Sequence, residues 1–356
     1  MANYFTDGAN GNDTTGNGSL ATPWKTIGKF VSNGYAAGDT LNIQAASTYA
    51  EAVTFTTAGT AAAPITIRGY SAAAGDLVGT TTYPTITPTS VSGTAAFVLS
   101  GAYNNLQNIN IQHSVSGKGA LSIGAGHIDL SWCRFSGASS ASKMNAVCVN
   151  YNYQNYICMS NCLIENVDNS NKGIDGFYSN EFLVNTTIRN CGYGVLNAGP
   201  ANSIIGCNIY GCNSYGMNIQ SGAQLIVNCN ISDNGGSGIS NNSGAYPITI
   251  LFSTLCYNTG YGITTSTTNM TANIFNSNLF GNTSSAYDAH TLVVGAGNNT
   301  ASSPFVGADI ATRKANNYLL IAAARQLGFA HLDGTTTYPD LGPNQYQSQF
   351  ANVWGG

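Results

Sequence analysis

The sequence predicts an all-β chain, a single-stranded right-handed parallel β-helix (a solenoid) with a short N-terminal capping helix. Three observations carry this. First, apolar residues recur at Ile111, Phe135, Ile164, Ile188, Ile209, Ile231, Leu255 and Leu279, at spacings of 21 to 29 residues. Second, a companion column sits two positions earlier, at Ile109, Cys133, Cys162, Thr186, Cys207, Cys229, Ser253 and Ser277. Alternate residues of a strand share a face, so both columns point the same way. Third, Gly-apolar pairs follow (Gly194-Val195, Gly216-Met217, Gly238-Ile239, Gly262-Ile263), separated from the columns by polar corners with Asn166, Asn190, Asn234, Asn258 and Asn282. Such a period, with no helical pattern, marks stacked coils. Leucine-rich repeats need more Leu, and helical repeats need helices. A propeller blade needs about 40 residues. The right hand is expected from the general preference of parallel crossovers.

Taken in order, residues 1–40 read as a cap, 41–300 as the β-helix and 301–356 as a closing segment. Tyr4-Phe5 opens a strand, and Asp7 to Asp13 is a turn-rich loop. Pro23 to Val31 is the best helix: Trp24, Ile27, Phe30 and Val31 fall at helical spacing, and Pro23 suits the first helical position. This helix is expected to cover the open end of the stack, where strand edges would otherwise be unpaired. Residues 136–158 and 165–182 are longer than the other coils and are expected to project loops on one face. Ala322 to Leu327 reads as a short helical turn.

Composition narrows function. Only 7% of the 356 residues are charged, against about 25% in ordinary domains. Gly is abundant, at 42 residues, and net charge is −4. No Lys/Arg cluster forms a nucleic-acid footprint. No apolar run is long enough for a membrane span, and the N-terminus carries no signal-peptide pattern. The expected location is therefore a virion or the extracellular space. The nine cysteines lack CxxC or His partners at ligand spacing, so zinc is not expected. Cys133, Cys162, Cys207 and Cys229 read as a buried thiol stack. Cys207 and Cys229, on neighbouring rungs, are expected to come within disulfide reach.

The order Tyr4-Phe5, Gly11-Asn12-Asp13, Gly18 to Ile27, Gly38 to Leu41, Thr48 to Glu51 and Pro64 to Tyr70 resembles the opening module of pectate-lyase-like right-handed β-helix proteins. Ser303 to Val306, Asn317 to Leu320 and Tyr338 to Tyr346 resemble their closing segment. That superfamily holds polysaccharide lyases and phage spike or fibre proteins, so the resemblance implies a fold and leaves the activity open.

Two groups of residues carry candidate chemistry. Glu165 and Arg189 each follow an inward Ile, so both are expected to point outward on adjacent rungs. Lys172, Asp168 and Asp175 lie in the adjoining insertion. In a lyase, Asp168 and Asp175 would hold Ca²⁺ and Arg189 or Lys172 would take the proton α to a carboxylate, with Glu165 beside them. The alternative is a structural ion pair. Tyr193, Tyr215 and Tyr261 precede the recurring Gly, with Ser237 in the remaining slot, and are expected as an exposed aromatic ladder. Tyr151, Tyr153, Tyr156 and Tyr178 add rings from the insertions. Such rings suit sugars or a subunit interface. Paired glycosidase carboxylates, a serine triad and a P-loop are not seen.

Two functions remain open. One is a non-enzymatic surface protein of virion type (fibre, spike or head-decoration subunit) without cofactor, a homotrimer or a partner of other virion proteins, touching a surface polysaccharide through its Tyr ladder. The other is a polysaccharide lyase or hydrolase using Ca²⁺.

Overall fold

The structure, a computed structural model, describes residues 1–303 except 78, 81, 140–142, 145–147, 152–155, 178–179, 198–201, 243–245, 266–269 and 290. The closing segment from 304, with its expected helical turn, lies outside the described residues. The chain forms two compact units, residues 1–181 and 182–356. Both are built the same way. Most coils give one short strand to each of three sheets, and the strand pairings within each unit are parallel.

In the first unit the first sheet runs from Asn3–Thr6 through Thr40–Gln44, Ile65–Tyr70, Asn104–Gln107 and Ile128–Ser131 to Ile157–Ser160. The second sheet ends on Arg134–Ser136 and Leu163–Glu165, and the third on Val149–Asn150 and Lys172–Phe177. In the second unit a representative coil is Asn202–Ile205, Asn208–Tyr210 and Met217–Ile219. Among the described residues, Ile27–Asn33 is the one helix.

The expected columns are the core. Ile111, Phe135, Ile164, Ile188, Ile209, Ile231, Leu255 and Leu279 are all buried; Ile111, Phe135 and Ile164 stack in register in the first unit, and Ile188, Ile209 and Ile231 in the second. The companion column is buried too, and its chemistry has a reason. The N–H of Cys133 donates to Cys162 Sγ, that of Cys207 to Cys229 Sγ, that of Cys229 to Ser253 Oγ and that of Ser253 to Ser277 Oγ. Each backbone donor at this corner thus finds a side-chain acceptor on the next rung. Sulfur and hydroxyl both serve, and an aliphatic residue would leave the buried N–H unsatisfied. All nine cysteines are free thiols.

The corners use residues that tolerate the left-handed conformation. Between the first and second sheets one residue has positive φ on each rung: Asn108, Trp132, Asn161, Asn185, Gly206, Asn228, Phe252 and Asn276. Asn and Gly suit this best. The predicted polar corners divide into two roles. Asn166 and Asn190 have positive φ. Asn234, Asn258 and Asn282 instead form a ladder: each carboxamide donates 3.0 Å to the next rung's Oδ1, which also takes the backbone N–H at 3.0–3.1 Å.

The helix starts later than expected. Thr26 is its N-cap, accepting from Lys29 N, so Pro23 and Trp24 precede it. Carboxylates from distant segments decide the start. Asp13 accepts from Lys25 N, Thr26 N and the Thr26 hydroxyl, and Glu51 accepts from Ile27 N and Gly28 N. These are the orphan donors of a helix start, and the acids also complement its dipole. Trp24 stacks on Tyr4 instead, at 5.3 Å. The capping role holds: Ile27 and Phe30 are fully buried, with Phe30 against Tyr35 and Phe55.

Asn258→Ala would remove the acceptor of Asn234 N, one of the two bonds of Asn234 Nδ2 and the donor to Ile231 O together, a loss of about 3 kcal/mol. Asn242, which bonds Asn218 near the surface, would lose under about 0.5 kcal/mol as Ala. Urea midpoints of the two variants check this contrast. Thiol chemistry gives a second check. Burial pushes the Cys158 thiol up to about 11 and raises Cys148, Cys162 and Cys207 further. The thiolate is the reactive form. Iodoacetamide near neutral pH should label at most Cys158 in the folded chain and all nine cysteines after unfolding, read by intact mass.

Candidate functional site

The candidate residues gather where the coils of the first unit lengthen, between its second and third sheets. The chain leaves strand Arg134–Ser136, makes an insertion, and returns to Val149–Asn150 in the third sheet. One rung on, it leaves Leu163–Glu165 and returns to Lys172–Phe177. The two insertions are tied together: Met144 N and Gly137 N donate to the carbonyls of Asn166 and Glu165, and Asp168 N to that of Met144. Met144 and Val167 are buried. The described parts of the two insertions are therefore packed on one another.

This packing corrects the reading of Glu165. Its parity is outward, as expected, yet it is 3% exposed. Its partner is Arg134, from the preceding rung, at 2.5 Å. Strand register sets Arg134 opposite Leu163 and Ser136 opposite Glu165. The ion pair is thus a diagonal on the outer face, within reach of long side chains. Arg189 belongs to the second unit and donates to the Tyr210 hydroxyl at 3.1 Å. Each of the two residues has its own neighbour within its own unit.

Lys172 and Asp175 lie at the start and middle of one strand and pair at 3.2 Å. Asp175 also accepts from Gly176 N. Register places it on the outer face of the third sheet beside Asn150. Asp168 binds Ser170 N, the Ser170 hydroxyl and Asn171 Nδ2. The hydrogen bonds to Ser170 hold its carboxyl below the usual carboxylate range. Both acids therefore work within their own turns. Among the described residues no three His, Cys, Asp or Glu side chains are placed to share a metal ion.

The aromatic ladder also differs from its expectation. Tyr193, Tyr215 and Tyr261 are half-buried rather than fully exposed. Tyr193 and Tyr215 are 6.0 Å apart with tilted rings. Ser237 interrupts the row, and its hydroxyl accepts from Tyr261 N. Tyr151 is fully buried against Phe177 at 5.8 Å, so it is core and not a binding ring. Tyr153 and Tyr178 lie outside the described residues. Sequence reasoning missed Arg134 as the partner of Glu165. It also missed a stack of Tyr103, His127 and Tyr156 on the first unit. Its signal was present in the sequence: each ring immediately precedes a first-sheet strand.

With this geometry in view, residues 95–255 match the family described as right handed beta helix region. Over the whole chain the fold resembles the crystal structure of pectate lyase Pel9A, at 15% identity and TM-score 0.61, covering 97% of this chain and 96% of that one. The chain has the pectate-lyase-like right-handed β-helix fold. The expected hand is the hand of that family. Weaker likenesses include a rhamnogalacturonan lyase (13% identity, TM-score 0.44, 100% of this chain and 99% of that one). The periplasmic alginate epimerase AlgG is another (10% identity, TM-score 0.47, 78% and 83%). No curated protein matches in sequence. The likeness to Pel9A shows the fold, and a fold does not choose an activity.

Removing one member of the Arg134–Glu165 pair leaves a buried carboxylate short of its counter-charge, which is more costly than losing an exposed pair. Arg134→Ala should lower stability by about 2 kcal/mol, and Lys172→Ala by under about 1 kcal/mol. Urea denaturation of both variants checks the ranking.

Proposed function

We propose that this chain is a non-enzymatic β-helix surface protein that holds a polysaccharide without cleaving it. The observation that carries the proposal is the engagement of the candidate charged groups. Glu165 takes Arg134, Asp175 takes Lys172, Asp168 takes its own turn, and Arg189 takes Tyr210. A proton-abstracting base must be free to reach its substrate, and these groups are committed to the protein. The half-buried Tyr193, Tyr215 and Tyr261 would supply apolar ring surface to a sugar chain. The finer form of the proposal is a fibre, spike or head-decoration subunit of virion type, a homotrimer working on a virion or outside cells. The low charge and the Asn/Thr/Ser/Gly richness of the sequence support it.

The second reading is a polysaccharide lyase, favoured by the whole-length likeness to a pectate lyase. There Lys172 or Arg189 would take the proton after exchanging its protein partner for substrate. One experiment separates the two. The protein is incubated with polygalacturonate, alginate and neutral glycans, with and without calcium. The expected result is retention of a polysaccharide on immobilised protein with no ultraviolet-absorbing unsaturated product. Product that forms with the native chain and vanishes in Lys172→Ala or Arg189→Ala would establish the lyase instead. Sedimentation should show a trimer if the virion-type assembly is right.

A further inference from the structure

The outer face of the first sheet in the first unit has features that the third-sheet site does not use. Strands Asn104–Gln107, Ile128–Ser131 and Ile157–Ser160 pair in register. Their inward residues, Leu106, Leu130 and Met159, are buried. Two outward rows result: Asn105, Asp129 and Cys158 in one, Gln107, Ser131 and Ser160 in the other. Neighbouring strands lie about 4.8 Å apart, so each row is a straight, rigid array.

The polar side chains of these rows make no hydrogen bond to any described residue. Some other outward polar side chains bond one another, as Asn230 does to Asn208, Asn278 to Thr254 and Arg68 to Asn42. Here Asn105, Gln107, Ser131 and Ser160 keep their donors and acceptors available on a fixed surface.

An aromatic edge borders the rows. Tyr103, His127 and Tyr156 stack face to face, at 4.4 and 4.8 Å, with their planes within 6°. All three have positive φ, between 55° and 61°. Bulky residues rarely adopt this conformation, and it costs backbone energy at each rung. Asn or Gly, which most of the other corners use beside Trp132 and Phe252, would avoid that cost. The rings are not buried in compensation: Tyr156 is 55% exposed, His127 is exposed and Tyr103 half-buried. Strain held at the surface for the sake of three rings points to a use for those rings.

Charge selects the ligand. Asp129 stands exposed in the middle of the strip. The cation on the preceding rung, Arg68, is turned to Asn42 and lies against the backbone turn at Gly75. A chain bearing a carboxylate on each sugar would run over Asp129 and be repelled. A chain of uncharged sugars would not, and its hydroxyls could use Asp129 as an acceptor. We propose that this strip binds an uncharged glycan chain, of hexoses or N-acetylhexosamines, with its rings along the Tyr103–His127–Tyr156 edge and its hydroxyls on the two polar rows. This site is separate from the third-sheet face and stands whether or not that face holds a polysaccharide.

The test is calorimetric titration of the full chain with a neutral glucan oligosaccharide, an N-acetylglucosamine oligosaccharide and an oligogalacturonate. One of the two neutral probes is expected to bind. Tyr156→Ala should weaken that binding about tenfold, the size of one ring contact. Gln107→Ala should weaken it several-fold, and circular dichroism should show both variants folded. Failure of both neutral probes to bind at millimolar concentration overturns the inference. So does neutral binding untouched by both substitutions, or oligogalacturonate binding that is the tighter one and falls with Tyr156→Ala. Neutral binding that falls with Tyr215→Ala instead would place the sugar on the third sheet, leaving the proposed function standing and this inference refuted.

Discussion

A coil of this molecule makes its sheet hydrogen bonds with the coils on either side, not with itself. In-register parallel pairing then sets each side chain against its counterpart about 4.8 Å away. This one constraint governs what the columns can contain. A buried column of aliphatic residues is satisfied at once. A buried polar column is satisfied only if its members can both donate and accept. Asn does both and Asp only accepts, which is why the ladder is Asn234, Asn258 and Asn282. Stacked carboxylates would repel by about 3 kcal/mol per pair at an effective dielectric near 20. The repetitive part of the chain avoids that cost: from 190 to 287 its one charged residue is Asp233. Where charge does enter a strand its in-register counterpart is uncharged, as with Asp129 between Asn105 and Cys158, Arg134 beside Leu163 and Glu165 beside Ser136. The 7% charged composition is thus a consequence of the stacking.

The same constraint explains what was legible in the sequence. Columns such as Ile111, Phe135 and Ile164, or Ile188, Ile209 and Ile231, repeat because each member must sit on the last, so spacing alone reveals them. The companion column repeats too, but spacing could not tell a hydrophobic thiol from a thiol that accepts a backbone N–H. That role needs the partner's position: Cys229 Sγ receives Cys207 N because of the corner between them. The helix start was illegible for a related reason. Local pattern favours Pro23 at the first turn. The groups that satisfy the actual start are Asp13 and Glu51, the latter 24 residues from Ile27. Long-range acceptors outrank a local propensity of a few tenths of a kcal/mol.

The candidate site was legible only as a neighbourhood. Parity correctly sends Glu165 outward, but parity is silent on what lies above. The insertions after Ser136 and Glu165 have no repeat to follow, and their described parts bond to one another through Met144, Asn166 and Asp168. Burial and pairing there come from packing that no column predicts, so Glu165 meets Arg134 and Tyr151 meets Phe177. The same limit applies to Tyr103, His127 and Tyr156. Each directly precedes a first-sheet strand, a signal visible in sequence, but only the left-handed corners that superimpose them make the rings a stack.

Outward rows are where such a molecule is free to vary, because the core columns fix only every second residue. The first sheet shows how far that freedom goes. In the first unit its outer rows are Asn105, Asp129, Gln107, Ser131 and Ser160. In the second unit one outer row is Val184, Ile205, Val227, Leu251 and Phe275. Phe182 and Leu225 stand exposed in the other. The backbone and the inward chemistry are the same in both, so neither surface is a by-product of folding. An apolar row is stable there because Val and Ile suit a pleated surface. A polar row is stable because the buried aliphatics beneath already hold the strand. Since stability accepts either, the choice at each face answers to what the face meets. In this molecule the functional content therefore has to be sought row by row on the outside, not in the repeat that makes the fold recognisable.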